Sequence, residues 1–384
     1  MTTYLLAGGG TAGHVNPLLA VADRLRRREP DATVLVLGTA EGLEARLVPQ
    51  RGYELLTVPR LPFPRRVSPA ALRFPGALKG AVDGVRALLA EHDVDVVVGF
   101  GGYASAPAYV AARISGVPLV VHEANAKPGM ANVLGALFTK HVGVVFRSTR
   151  LRHARRVGMP LRVEIETLDR RAVHQEALAE FGLDPAKPTV LVTGGSTGAR
   201  RLNETVAASA AGILGAGWQI LHITGEKSDL RSTDLAGYHL LRYCDRMDLA
   251  LSAADFVVSR SGSATVSELT ALGLPSVLVP YPVGNGEQRF NATDVVEAGG
   301  AVLVADADFT PEWVQGRLVD LLLDRATIAD MAVRAATVGV LDGTDRTVDL
   351  VLDAVGRASS TARPAAHARR DGTRTTPSST TGER

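Results

Sequence analysis

The sequence predicts an α/β protein made of two Rossmann-like, doubly wound parallel-sheet domains that face each other across a cleft. Three observations predict it. Strand-length runs of Val, Leu and Ile alternate with helix-length amphipathic segments, the rhythm pauses and restarts near mid-chain, and glycine-rich loops follow strands in both halves. Strands that read as near-continuous apolar runs are buried on both faces, as they are when crossover helices cover a parallel sheet. At 384 residues the chain suits two domains, each large enough to bury a core.

The first strand, Tyr4 to Gly8, runs into Gly9, Gly10, Thr11, Ala12, Gly13 and His14, a loop that opens a helix. Without side chains in the way, backbone N–H groups there approach an anion closely, and the helix adds the positive end of its dipole. Further strands are expected at 33–37, 94–98, 118–122 and 142–146, separated by helical pattern. Residues 158–167 read as a linker, with Pro160 blocking a helix. The rhythm resumes after 182–188 with strands at 189–193, 219–223, 256–259, 276–280 and 301–304, then helices at 311–323, 326–336 and 344–357. From 358 to 384 the chain is Ser, Thr, Arg, Gly, Ala and Pro with no large apolar residue. Such a segment cannot offset its ordering entropy, so a disordered, solvated tail is expected.

Composition narrows the function. A hydrophobic content of 46% with 21% charged residues and a formal charge of +2 is that of a soluble globular protein with no global pull toward nucleic acid. One cysteine, Cys244, cannot form an internal disulfide, and no charged and apolar leader precedes the first strand, so a cytosolic setting is expected. No apolar run reaches the ~18 residues of a spanning helix.

Three loops carry phosphate-binding character: the first glycine loop, Gly194 to Gly198 around Ser196, and Ser261-Gly262-Ser263-Ala264-Thr265. Together they suggest more than one phosphorylated ligand. The first loop alone also satisfies the dinucleotide fingerprint G-x-G-x-x-G. That reading needs a carboxylate at the end of the second strand for a ribose hydroxyl, and 35–39 supplies none, Glu41 falling later. In the third loop the N–H groups of Ser263 to Thr265 suit a diphosphate, and Glu268, a turn further in, suits two ribose hydroxyls. An N-cap serine with an ordinary capping glutamate is the plain alternative. Gln288 and Asn291 share one face of a starting helix, where neutral amides can read sugar hydroxyls or simply cap.

In the first half, His122, Glu123 and Asn125 end an apolar strand and are expected to converge with His14 on the cleft, while Gly101 and Gly102 close another strand. Metal signals are weak: Asp93 and Asp95 precede their strand, and Asp306 with Asp308 reads as a solvated loop. A metal-independent mechanism without a cofactor is expected. Residues 61–92 mix Phe63, Leu72, Phe74 and Leu78 with Arg65, Arg66, Arg73, Lys79 and Arg86, which suits an anionic bilayer surface or ordinary core-and-solvent packing.

Taken in order, GGGTAGHVNP, GFGGY, HEAN, GGSTGA, RSGSATVSE and EQRFNA resemble the MurG family over about residues 3–357. The resemblance implies the GT-B fold, with a first domain over 1–160 facing acceptor and membrane and a UDP-GlcNAc-binding domain over 161–343. The helix 344–357 is then expected to pack back on the first domain. The implied activity is transfer of N-acetylglucosamine from UDP-GlcNAc to lipid I, giving lipid II for peptidoglycan, and so a part in cell shape and division at the cytoplasmic face of the plasma membrane. By resemblance Thr11, Ala12 and Gly13 face a diphosphate with Asn125 assisting. Arg162 and Ser196 contact the donor and Cys244 lies where backbone meets uracil. Ser263, Ala264 and Thr265 hold the diphosphate, Glu268 the ribose, and Gln288 and Asn291 the sugar. Met159 and Ala124 depart from residues frequent in the family.

The implied chemistry is attack by the muramoyl 4-hydroxyl on the anomeric carbon, with inversion and loss of UDP. Histidine suits proton removal near neutral pH, so His14 is the first choice of base and Glu123 the second. The developing charge on UDP meets the second-domain helix start, a preorganised electrostatic partner. Rivals are another GT-B nucleotide-sugar enzyme acting on a different lipid or natural product, a sugar epimerase of the same architecture, and a catalytically silent nucleotide-sugar sensor.

Overall fold

The computed structural model describes residues 1–63, 69–195, 198–231, 234–283 and 286–360. Ser196, Arg65, Arg66 and the tail beyond 360 lie outside them.

Two fully parallel sheets organise the chain. The first holds β1 (Thr3–Gly8), β2 (Thr33–Gly38), β3 (Glu54–Thr57), β4 (Val96–Gly101), β5 (Leu119–Glu123), β6 (His141–Val144) and β7 (Ala154–Arg156), in the order β3-β2-β1-β4-β5-β6-β7. The second holds β8 (Thr189–Thr193), β9 (Gln219–Ile223), β10 (Tyr238–Leu241), β11 (Phe256–Ser259), β12 (Ser276–Leu278) and β13 (Ala301–Leu303), in the order β10-β9-β8-β11-β12-β13. Both run outward one way from their first strand and then cross to the other side. The crevices at that reversal, beyond the carboxyl ends of β1 and β4 and of β8 and β11, are where doubly wound sheets take ligands.

The central strands are buried on both faces, as their unbroken apolar runs require. Three strands were not expected: β3, β7 and β10. They lie at sheet edges, and their sequences, ELLT, ARR and YHLL, carry charge or partial exposure. An edge strand leaves one row of backbone groups unpaired and often carries charge, which breaks the apolar signature in these three, whereas the fourth edge strand, β13, keeps it.

The segment 158–167 is no solvated linker. Met159, Leu161 and Ile165 are buried in an apolar cluster shared by the two lobes, and Val163–Glu166 forms a helical turn. Gly158 sits at φ +88, a conformation only glycine adopts without strain. The last helix, Gly343–Ser360, returns to the first lobe and buries Val348, Leu350, Val351 and Ala354 among the residues of β1, β4 and helix Ala12–Arg28. Arg28 binds Asp345 and Asp349 at 2.6 and 2.5 Å, and Arg24 binds Asp345 and Glu166, locking that contact at its polar edge. The chain therefore leaves the first lobe once and comes back, so the two lobes fold around shared material.

Candidate active site

The first glycine loop places His14 in the opening turn of helix Ala12–Arg28, with Thr11 as N-cap. His14 Nδ1 lies 3.2 Å from the Gly9 carbonyl oxygen and 3.3 Å from Thr11 Oγ1. A carbonyl only accepts, so with the proton on Nδ1 the ring donates to Gly9 and a neutral imidazole keeps its lone pair on Nε2; with the proton on Nε2, Nδ1 accepts from Thr11 instead. Nε2 packs toward Gly101, where an added Cβ would sit 3.2 Å from it. Gly101 and Gly102 both have φ near +90, and a Cβ on Gly102 would overlap the Gly9 backbone. Glycine is required at this junction of the β1 and β4 loops.

Beside His14 opens a cavity of about 540 Å³. Leu61, Phe63, Phe74, Leu78, Val110 and Leu134 are among its apolar lining, and His14, Glu123, Asn125 and Asn132 among its polar lining. Of the trio that ends β5, Glu123 and Asn125 reach this cavity and His122 does not. Successive strand residues face opposite ways, so His122 turns inward, buried against Phe100, with Nε2 3.1 Å from the Gly158 carbonyl oxygen. Burial pushes its pKa down to about 4.

Glu123 is in the cavity wall, yet both its oxygens are committed. Oε1 accepts from the Asn125 N–H at 2.8 Å, and Oε2 from the Gly129 N–H and Asn132 Nδ2, each at 2.9 Å. Asn132 is held in turn by the Tyr109 hydroxyl, which donates to Oδ1 at 2.6 Å. A buried carboxylate with three donors organises the loop after β5.

On the second lobe, helix Ser263–Ala271 starts after β11 with Gly262 as N-cap. Glu268 on this helix lies 3.4 Å from Arg162, 106 residues earlier, so two residues expected at the donor site do meet. Burial raises the Glu268 pKa and Arg162 opposes that rise. Cys244 follows β10, half-buried, and burial pushes its thiol up to about 11. Gln288 Oε1 accepts from the Tyr281 N–H at 2.9 Å. Ala264 and Thr265 lie in the first turn of the helix, partly exposed.

The two halves of the cleft are joined by a polar seam. Ser263 donates from its hydroxyl to the Ala124 carbonyl. Asn291, fully buried, accepts the Ala126 N–H at 2.9 Å and donates to Asn125 Oδ1 at 3.3 Å and to the Ser261 carbonyl at 3.4 Å. Asp294 accepts from the Arg147 and Ser148 N–H groups at 2.6 and 3.1 Å. Both Ser263 and Asn291, expected to read the donor, here hold the lobes together, and Asn291 points inward while Gln288 stays near the surface.

One carboxylate differs from expectation and another was not foreseen. Asp306 is not solvated: it bridges Arg260 at 2.6 Å and Arg201 at 3.0 Å and is largely buried. Glu44, the first residue of helix Glu44–Gln50, is buried and reaches the first glycine loop, where its Oε2 accepts the Gly10 N–H at 2.8 Å. The expected anion cradle thus already holds an internal anion at Gly10. Its signal in the sequence was Gly38-Thr39 and Gly42 around a helix start just after β2, a slot made for a side chain arriving from outside the strand. Asp95, before β4, accepts the Thr3 N–H at 2.9 Å and is structural. Among the described residues no group of three or more His, Cys, Asp or Glu is placed to hold a metal ion.

Residues 4–144 match the glycosyltransferase family 28 N-terminal domain and residues 189–347 the glycosyltransferase family 28 C-terminal domain. A protein of Leifsonia xyli subsp. xyli, named UDP-N-acetylglucosamine–N-acetylmuramyl-(pentapeptide) pyrophosphoryl-undecaprenol N-acetylglucosamine transferase, is 64% identical over 91% of this chain and 98% of its own. A protein of the same name from Clavibacter sepedonicus is 62% identical over 95% and 99%. The crystal structure of Acinetobacter baumannii MurG aligns with a TM-score of 0.76 at 27% identity, covering 92% of this chain and 100% of that one. A calicheamicin glycosyltransferase shares the fold at 17% identity, with a TM-score of 0.65. On this kinship across nearly the whole chain, and on two parallel-sheet lobes meeting at a histidine-bearing cleft, the protein belongs to the MurG family of glycosyltransferases.

Proposed function

We propose that this chain is an inverting glycosyltransferase that moves N-acetylglucosamine from UDP-GlcNAc to the 4-hydroxyl of N-acetylmuramoyl-pentapeptide in lipid I, yielding lipid II for peptidoglycan synthesis. The observation that carries the reading is continuity across the cleft. Asn125 lines the first-lobe cavity beside His14 and is hydrogen-bonded to Asn291 of the second lobe, two residues of the seam that also contains Ser263 at the start of the helix bearing Glu268. That continuity supports a reading in which a hydroxyl presented at His14 attacks a sugar held at that helix start.

In this reading the first lobe takes the acceptor and the second the donor. The N–H groups of Ser263, Ala264 and Thr265 face the diphosphate of UDP, Glu268 the ribose with Arg162 beside it, Gln288 the sugar, and the backbone near Cys244 the uracil. Thr11, Ala12 and Gly13 border the acceptor's diphosphate. Asn291 serves chiefly by fixing Asn125 and Ala126. The 4-hydroxyl attacks the anomeric carbon as its proton passes to His14 Nε2, the C1–O bond to UDP breaks, and the leaving diphosphate gains charge toward the helix start, which needs no reorganisation to receive it. Glu123 keeps the loop that shapes the cavity.

The lipid-linked acceptor implies work at an anionic membrane surface. No helix among the described residues is long and apolar enough to cross a membrane. Exposed Phe63, Leu72, Met130, Val133 and Leu137, with Arg73 and Lys79 on the same lobe, support peripheral attachment near the cavity mouth.

The test is transfer of radiolabelled GlcNAc from UDP-GlcNAc to a short-chain lipid I analogue, with and without EDTA. A β-1,4-linked disaccharide product is expected in both arms. Binding of UDP-GlcNAc with no transfer to this acceptor would overturn the reading in favour of a different acceptor or a sensor.

A further inference from the structure

Among the described residues, Glu44 is a buried carboxylate that touches the histidine-bearing loop without a place in the reaction described above. It is only 1% exposed. Its Oε2 accepts the Gly10 N–H at 2.8 Å, and its Oε1 accepts the Thr39 N–H at 2.9 Å and the Thr39 hydroxyl at 2.8 Å. The slot is cut for it, since a Cβ on Gly9, Gly38 or Gly42 would overlap the Glu44 side chain. Burial works against the charge, but the donors from Gly10, its own amide and Thr39 outweigh burial and hold the carboxyl below its ordinary range.

The Gly10 N–H and the Gly9 C=O belong to one peptide unit. Glu44 binds the nitrogen end of that unit, and His14 Nδ1 lies 3.2 Å from its oxygen end. We infer that Glu44 is a positioning residue for His14, acting through the Gly9–Gly10 peptide: it fixes the plane of that peptide and polarises its carbonyl, which holds the His14 proton on Nδ1 and leaves Nε2 free to take the acceptor's proton. The inference rests on His14 being the base.

The physical reasons are two. A peptide whose N–H donates to a carboxylate carries more negative charge on its oxygen, so the hydrogen bond that oxygen accepts is strengthened. And a glycine–glycine peptide, with Gly10 at φ +88, has no side chain of its own to fix its rotation, so an external anchor decides where the carbonyl points. In hydrolytic triads a carboxylate binds the imidazole directly to the same end. Here a peptide is interposed.

The experiment uses the full chain, with GlcNAc transfer to a short-chain lipid I analogue and ¹⁵N NMR of the imidazole nitrogens. Glu44→Gln cannot satisfy the Gly10 and Thr39 donors together, because one acceptor oxygen becomes an NH₂. The expected result is a kcat about 100-fold lower, within the range that general-base catalysis contributes, with the KM for UDP-GlcNAc little changed. The double variant Glu44→Gln, His14→Ala is expected to be no slower than His14→Ala alone, since both remove one unit. In the unaltered chain, His14 is expected to carry its proton on Nδ1.

A Glu44→Gln enzyme with nearly native kcat would overturn the inference. So would full multiplication of the two single losses, or a His14 proton on Nε2. Should Glu44→Gln fail to fold, Glu44→Asp, whose shorter side chain draws the carboxylate back from the Gly10 N–H, takes its place with the same expected loss of kcat, and a native kcat in that variant would overturn the inference. If the unaltered chain transfers no sugar, or His14→Ala is fully active, the proposed reaction or its base fails, while the share of Nδ1-protonated His14, compared between the unaltered and Glu44→Gln chains, still reports separately on Glu44.

Discussion

Glu123→Gln separates scaffold from chemistry at the centre of the cavity. In the native loop the carboxylate accepts three hydrogen bonds, from the Asn125 and Gly129 N–H groups and from Asn132 Nδ2. Glutamine offers one acceptor oxygen and an NH₂, so whichever way its amide turns, at least one buried donor meets another donor. An orphaned buried donor costs about 1–3 kcal/mol, and the surviving bonds lose roughly another 1 kcal/mol in passing from charged to neutral. The total is about 2–4 kcal/mol. Lobes of this size lose about 2–4 °C of Tm per kcal/mol, so the first-lobe transition falls by roughly 4–16 °C. The acceptor KM rises because the loop shapes the cavity, while UDP-GlcNAc binding is unchanged. Calorimetry with kinetics at varied acceptor concentration reads all three. A Tm within about 1 °C of native together with a kcat loss of about 100-fold or more would refute the scaffold assignment and make Glu123 a proton acceptor.

His14→Ala is expected to cut turnover by about two orders or more while UDP-GlcNAc still binds, read by single-turnover kinetics beside equilibrium titration. Asn291→Ala leaves the Ala126 N–H without its partner at the seam; a lower Tm and weaker transfer are expected, with the secondary structure intact by circular dichroism. Val351→Asp puts an unpaired charge into the first-lobe core, fully buried in the native chain, and should abolish soluble expression of the folded protein. His122 and His222 are buried neutral with pKa values near 4, below the ordinary 6.5. For a base depressed on folding, the unfolded chain binds more protons between those values, so stability is full above about 6.5 and is lost as pH falls toward 4. Tm measured across that window should fall, and His222→Gln should flatten the curve.

Much of the fold was legible because the central strands are buried on both faces and announce themselves as apolar runs. The strands 189–193, 219–223 and 256–259 have the bounds read from sequence. Of the four edge strands only β13, an apolar run, was legible; β7, Ala-Arg-Arg, pairs through its backbone and carries no hydrophobic pattern. The histidine-bearing loop, the helix start at Ser263 and the Arg162–Glu268 meeting of two expected donor residues were likewise visible as motifs, although only the fold shows that the last two touch.

Sequence by itself determined the local chemistry: which loops expose N–H groups, where helices start, which residues can take or give a proton. Tertiary structure decided how those groups are spent. His122 and Glu123 are neighbours in sequence, yet one is buried against Phe100 and the other binds three donors, because a strand turns successive side chains to opposite faces. Glu44 joins the first glycine loop, and Asn291 joins the lobes, through contacts 34 and 165 residues long in sequence. Local propensity constrains only near neighbours along the chain. Partners so distant are chosen by which buried donors remain to be satisfied once the sheets have packed.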